Sequence, residues 1–169
     1  IYYELKPNLT AYVYPYDYSG DIVIPSSVEY NGMTYYIEGF YETTFMGTTI
    51  TSLTVANTVN LNAPLDGCNH LQKVEANASF LKGVRPSTVK EIVVNGGSID
   101  NDMLDYWKTL ENLEILNLSG AYNESFAQKA FWEFQVEYIN QFDYPNEYGE
   151  INITKGEYYS FKNLRKLVL

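Results

Sequence analysis

The sequence predicts an α/β fold: a solenoid of short parallel strands, with an irregular helical insert and a β-hairpin cap at the N-terminal side. Three observations carry this prediction. First, one apolar pattern, leucine-type at its first, fourth and sixth positions, occurs five times: Ile50-Thr51-Ser52-Leu53-Thr54-Val55, Leu71 to Ala76, Val89 to Val94, Leu113 to Leu118 and Leu164 to Leu169. The steps between first positions are 21, 18, 24 and 51 residues. Three of these equal one leucine-rich-repeat period, and the fourth spans two. Second, residues 1–38 read as strands and tight turns. Third, two segments between the recurring strands carry apolar residues at helical spacing. A unit with one apolar edge cannot bury it alone, so such units stack. The expected organisation is a single structural domain, with a β-rich cap over 1–38, a leucine-rich-repeat domain over 39–169 and an irregular insert at 119–157.

In the cap, Ala11-Tyr12-Val13-Tyr14-Pro15-Tyr16 alternates, which places Tyr12, Tyr14 and Tyr16 on one face and Ala11 and Val13 on the other. Asp17-Tyr18-Ser19-Gly20 reads as a turn, and Asp21 to Ile24 as a strand stopped by Pro25. Tyr30-Asn31-Gly32-Met33 centres on Asn-Gly, the strongest short hairpin signal. The three tyrosines are either packing for the cap or a stacking platform for sugar rings.

In the recurring strands the pattern residues point inward and the alternate residues outward. Stacking aligns the outward residues into two rows: Ser52, Lys73, Glu91, Ile115 and Lys166, then Thr54, Glu75, Val93, Asn117 and Val168. Lys73 is placed to pair with Glu91. Val93, Ile115 and Val168 are apolar on a face that meets solvent. They form a small binding patch or lie under the insert, and partial cover is the expectation.

The first helical segment starts at Asp100, an N-cap candidate, and carries Met103, Leu104, Trp107 and Leu110 on one side. The second runs from Glu124 to Tyr138 with a stripe of Ala127, Ala130, Phe131, Phe134 and Tyr138. Trp132 and Val136 lie off that stripe, as edge packing or as anchors for a partner. Glu150 to Thr154 reads as the strand of a degenerate unit. The abrupt start at Ile1 reads as that of a mature or trimmed chain, and the bare apolar strand ending at Leu169 as a truncated end or one covered by an unseen partner.

Composition narrows the function classes. The 169 residues carry a formal net charge of −10, with 21 acidic residues against 11 lysines and arginines. No basic stripe is available to displace phosphate counterions, so nucleic acid is disfavoured as a partner, as is an anionic membrane surface. No apolar run reaches transmembrane length. Tyrosine is abundant, with 17 residues, and lysine and arginine are scarce, a balance that leans towards extracellular recognition. Cys68 is the sole cysteine and His70 the sole histidine. One of each cannot close a zinc site, and in the turn before a strand Cys68 should face the core and His70 the solvent. No calcium loop or phosphate-cradling glycine loop occurs. The chain is therefore expected to be non-catalytic, with no cofactor and no metal.

The run Tyr18-Ser19-Gly20-Asp21-Ile22-Val23-Ile24-Pro25-Ser26-Ser27-Val28-Glu29-Tyr30-Asn31-Gly32-Met33-Thr34-Tyr35 resembles the opening of BspA-type leucine-rich-repeat proteins, which are bacterial surface and secreted proteins also found in some protists. Thr44 to Val59, Leu65 to Val74 and Phe161 to Leu167 resemble the units that follow in that family. The resemblance covers residues 9–118 and 158–169, and residues 119–157 depart from it. It implies a repeat fold and a place at the cell surface or outside the cell, and it implies no particular ligand. The expected function is protein–protein recognition or adhesion towards a protein partner or another host or extracellular ligand. The alternative is carbohydrate binding through exposed Tyr and Trp. The candidate contact residues are Lys73, Glu75, Glu91, Val93, Ile115 and Asn117 on the strand rows, Trp132 on the insert, and Tyr12, Tyr14 and Tyr16 on the cap.

Overall fold

A computed structural model describes residues 1–59, 65–121, 150–152 and 163–168. The chain forms β1 (Tyr3–Leu5), β2 (Thr10–Val13), β3 (Ser19–Ile24), β4 (Ser27–Tyr30), β5 (Met33–Phe40), β6 (Thr49–Val55), β7 (Lys73–Asn77), α1 (Ala78–Leu81), β8 (Glu91–Gly96), α2 (Asn101–Trp107), β9 (Ile115–Asn117), β10 (Glu150–Asn152) and β11 (Lys166–Val168). Two sheets result. The first is mixed, in the order β1-β2-β5-β4, with β2 and β5 parallel and the outer pairs antiparallel. The second has the order β10-β11-β9-β8-β7-β6-β3 and is parallel except where β10 meets β11.

The recurring pattern sets the register of the second sheet. Leu53, Val74, Ile92, Leu116 and Leu167 pair successively across five neighbouring strands, and all are buried. Alternation does this: a slip of one residue would turn every leucine-type side chain to the opposite face. The first pattern positions, Ile50, Leu71, Val89, Leu113 and Leu164, are buried beside them. Side chains just before most of these positions tie successive strands together. Cys68 Sγ donates to the Phe45 carbonyl at 3.2 Å and Thr88 Oγ1 to that of Leu71 at 2.7 Å. Asn112 Nδ2 donates to Ser87 at 2.7 Å and Asn163 Nδ2 to Glu111 at 2.6 Å.

The expected α/β leucine-rich-repeat solenoid is corrected by this architecture. Among the described residues strand makes up 40% and helix 8%, so they are mostly β, a curled mixed sheet beside a parallel one. The parallel ladder is present, but among the described residues the helical half of the class is not. Among the described residues the helices are α1, of four residues, and α2, of seven. Gly83 and Pro86 follow α1 and stop it early. Segments this short do not recover the cost of helix nucleation.

Three local expectations also change. β2 ends at Val13, so Tyr14 and Tyr16 lie beyond the strand. β3 begins at Ser19, inside the expected turn, and joins the parallel ladder beside β6. β10 runs antiparallel to β11, so it is not a further unit of the parallel repeat. The Asn31-Gly32 hairpin forms between β4 and β5, with φ of 52° and 75° at its two turn residues. Asp100 caps α2, accepting from the Met103 amide at 2.9 Å. The expected helix over 124–138, Trp132 within it, and all of the insert except 119–121 and 150–152 lie outside the described residues.

One hydrophobic core joins the two sheets. Phe40, at the end of β5, lies 5.8 Å from Phe45 and 5.6 Å from Phe80 between ring centroids, and Tyr18 lies 6.1 Å from Phe45. Phe45 and Phe80 are fully buried, each contributing about 1.5–3 kcal/mol. Gly120 allows close approach elsewhere: a Cβ there would overlap the Val94 carbonyl oxygen and sit 2.8 Å from the Asn95 Cα.

Candidate functional site

Two surfaces hold the residues expected to touch a ligand. The first is the outward face of the parallel sheet. Its register aligns Asp21, Ser52, Lys73, Glu91, Ile115 and Lys166 in one row, and Val23, Thr54, Glu75, Val93, Asn117 and Val168 in the next. The structure thus brings together Lys73, Glu75, Glu91, Val93, Ile115 and Asn117. Three of their polar side chains are engaged. Lys73 Nζ lies 3.1 Å from Glu91, and Asn117 Oδ1 accepts from the Ser119 amide and hydroxyl at 3.0 and 2.7 Å. Val93 and Ile115 are half-buried, and Val168 is only 7% exposed.

The second surface is built by the mixed sheet and the segments leaving it. Among the described residues, every exposed large apolar or aromatic side chain lies between Ile1 and Met46. Five of these are tyrosines, each more than half exposed: Tyr2, Tyr14, Tyr16, Tyr30 and Tyr36. The expected row of Tyr12, Tyr14 and Tyr16 is divided, because β2 stops at Val13. Tyr12 and Tyr14 both turn to Tyr41, at 5.8 and 5.9 Å, while Tyr16 stacks on Tyr2 at 4.2 Å and lies 5.9 Å from Tyr18. Tyr12 is half-buried over Gly39. Tyr41 donates to Glu4, which also holds Lys6 at 2.7 Å.

Buried groups hold this surface in place. The Tyr18 hydroxyl donates to the Tyr14 carbonyl at 2.6 Å and accepts from the Tyr2 amide at 3.1 Å. Thr44 Oγ1 donates to the Val13 carbonyl at 3.1 Å, and Thr48 Oγ1 to that of Phe45 at 2.8 Å. Between the two fixed segments lies a cleft of about 390 Å³, lined by Pro15, Tyr16, Asp17, Thr43, Met46 and Thr48. A side-chain hydrogen bond shared with Tyr2 pushes the Tyr16 phenol up, with the neighbouring phenols and Asp17 acting in the same direction. Burial pushes Tyr3 up to about 12.

A second cleft, of about 460 Å³, lies beside α2 and includes Lys82, Arg85, Asp102, Tyr106 and Trp107 in its lining. Its cations already have partners. Lys82 is 2.6 Å from Asp100, while Arg85 lies 4.2 Å over the Tyr106 ring and donates to the Lys82 carbonyl. Trp107 Nε1 is buried without an acceptor among the described residues. It is closed to solvent, so it offers nothing to a ligand.

Cys68 is fully buried and burial pushes its thiol up, whereas His70 is exposed. Among the described residues no group of three or more His, Cys, Asp or Glu side chains is placed to hold a metal ion. Nor is any helix among them long and apolar enough to cross a membrane.

Sequence reasoning missed Tyr2, Asp17, Tyr41 and Met46. Tyr2 was within reach of it: antiparallel pairing of Tyr3 with Val13 sets Tyr2 beside Tyr14. Tyr41 and Met46 carry no such local signal, because a turn far along the chain delivers them. Comparison with family models, curated proteins and solved structures gives no match for this chain.

Proposed function

We propose that this protein is a non-catalytic recognition module, acting at a cell surface or outside the cell, and that it binds a protein partner through the tyrosine-rich surface of residues 1–46. The observation that carries this reading is that, among the described residues, the exposed large apolar side chains are confined to that stretch. Exposed apolar patches mark interaction sites. Tyrosine suits them because it offers a large contact area and a hydroxyl at low entropic cost. The outward face of the parallel sheet is a weaker candidate, since its Lys73 and Glu91 pair with each other and its apolar residues, Val23 apart, are half-buried or buried. The resemblance of Tyr18 to Tyr35 to BspA-type surface proteins supports an extracellular setting. A glycan is the alternative ligand and would use the same tyrosines.

The test is binding of the labelled protein to intact cells and to an extracellular-protein array, with a glycan array in parallel. The triple substitution Tyr14→Ser, Tyr16→Ser and Tyr36→Ser is expected to abolish protein binding while thermal unfolding stays unchanged. The control Lys73→Ser with Glu75→Ser should bind normally. Glycan binding that depends on the same tyrosines would replace the protein reading. Loss with the control alone would move the site to the parallel sheet.

A further inference from the structure

The cleft between Pro15 and Thr48 has a chemistry of its own. Asp17 is its sole charged lining residue, and the Asp17 carboxylate has no hydrogen-bond or ion-pair partner among the described residues. By contrast, Glu4 is held by Lys6 and Tyr41, and Asp21, the next acidic residue along the chain, accepts from Thr51 at 3.0 Å. Beside this exposed carboxylate stands Tyr16, its ring steadied by Tyr2. Met46, exposed and flexible, forms part of the opposite wall and adapts to what enters.

From this geometry we infer that the cleft receives a basic side chain, an arginine guanidinium or a lysine ammonium, presented by the protein partner; the inference rests on the recognition reading above. A cation satisfies both features of the site at once, pairing with the carboxylate and lying against an aromatic ring. The net charge of −10 draws basic groups towards the whole molecule. A neutral saccharide would use the ring but leave the Asp17 charge unpaired. The volume of about 390 Å³ lies within the range of small-molecule sites. Both walls are tied down by the buried hydrogen bonds of Tyr18, Thr44 and Thr48, so little ordering remains to be done on binding.

The experiment is an NMR titration of the isotope-labelled chain with acetyl-Gly-Arg-Gly-amide, its lysine and glutamine counterparts, and maltose. The arginine and lysine peptides should shift the Tyr16, Asp17 and Met46 signals and saturate, and the relative affinities will say which cation is preferred. The glutamine peptide and maltose should leave those signals in place. Asp17→Gln is expected to weaken arginine-peptide binding by about three- to fivefold, and added salt should weaken it further. Tyr16→Ser should also weaken it, which separates a ring-and-carboxylate site from a bare charge. Equal shifts with the glutamine peptide or maltose, or unchanged affinity in Asp17→Gln, would overturn the inference. Partner binding that survives Asp17→Gln but is lost in the triple tyrosine variant would also overturn it, and would leave the recognition reading standing. Partner binding that survives both would overturn the recognition reading itself.

Discussion

The thiol of Cys68 shows how a reactive group becomes structural through its surroundings. It is fully buried in the turn before β7 and donates to the Phe45 carbonyl at 3.2 Å. Burial holds its pKa above the ordinary value, so the folded chain keeps the thiol proton that the unfolded chain loses from about pH 8.5. Stability is therefore full below that pH and falls as pH rises past it. Tyr3, pushed up to about 12, extends the decline from about pH 10. Urea midpoints measured from pH 7 to 10 are expected to fall above about pH 8.5. In Cys68→Ala the part of that fall below about pH 10 should vanish. At pH 7 this variant should lose about 1 kcal/mol through the missing hydrogen bond, because Thr48 still donates to the same carbonyl. A midpoint that declines identically in both proteins would exclude the thiol as the cause.

At the scale of the element, the parallel ladder is held by two systems that reinforce one another. The inward leucine-type residues exclude water and set the register. Cys68, Thr88, Asn112 and Asn163 then satisfy carbonyls in the preceding connections, which no strand reaches. Thr88→Val keeps the shape of the side chain but leaves the Leu71 carbonyl without the Thr88 hydroxyl. It should cost about 1–3 kcal/mol in chemical denaturation, whereas Thr88→Ser should cost less than half as much. Equal losses in the two variants would mean that packing, and not the hydroxyl, matters there. The leucine-type spacing made this ladder legible beforehand. It did not disclose the tying side chains, because Cys, Thr and Asn serve the same purpose at slightly different offsets.

For the whole molecule, the consequential contact is the aromatic junction of Phe40, Phe45 and Phe80, where the mixed sheet meets the parallel one. Because a single core crosses it, the two sheets should unfold as one cooperative unit. Phe45→Ala is expected to cost about 3–5 kcal/mol. Hydrogen-exchange protection in β2 and β7 should fall together in that variant. Protection lost in one sheet and retained in the other would show that they are independent units. The same junction orients the tyrosine surface. Phe45 lies in the turn that carries Met46, and its ring packs on Tyr18, whose hydroxyl fixes the segment bearing Tyr14 and Tyr16.

Alternation and spacing by themselves determined the strand register, the inward and outward rows, the Lys73–Glu91 pairing, the Asn31-Gly32 hairpin and the Asp100 cap. Each depends on residues close in the chain or on a period that stacking copies from strand to strand. The tertiary structure alone decided the balance of strand over helix, the antiparallel course of β10 and the burial of Val168. It also divided Tyr12, Tyr14 and Tyr16 between Tyr41 and Tyr2, and it opened the cleft between Tyr16 and Met46. Those outcomes depend on where distant turns arrive and on which strands and rings they bring together, and local pattern does not encode either.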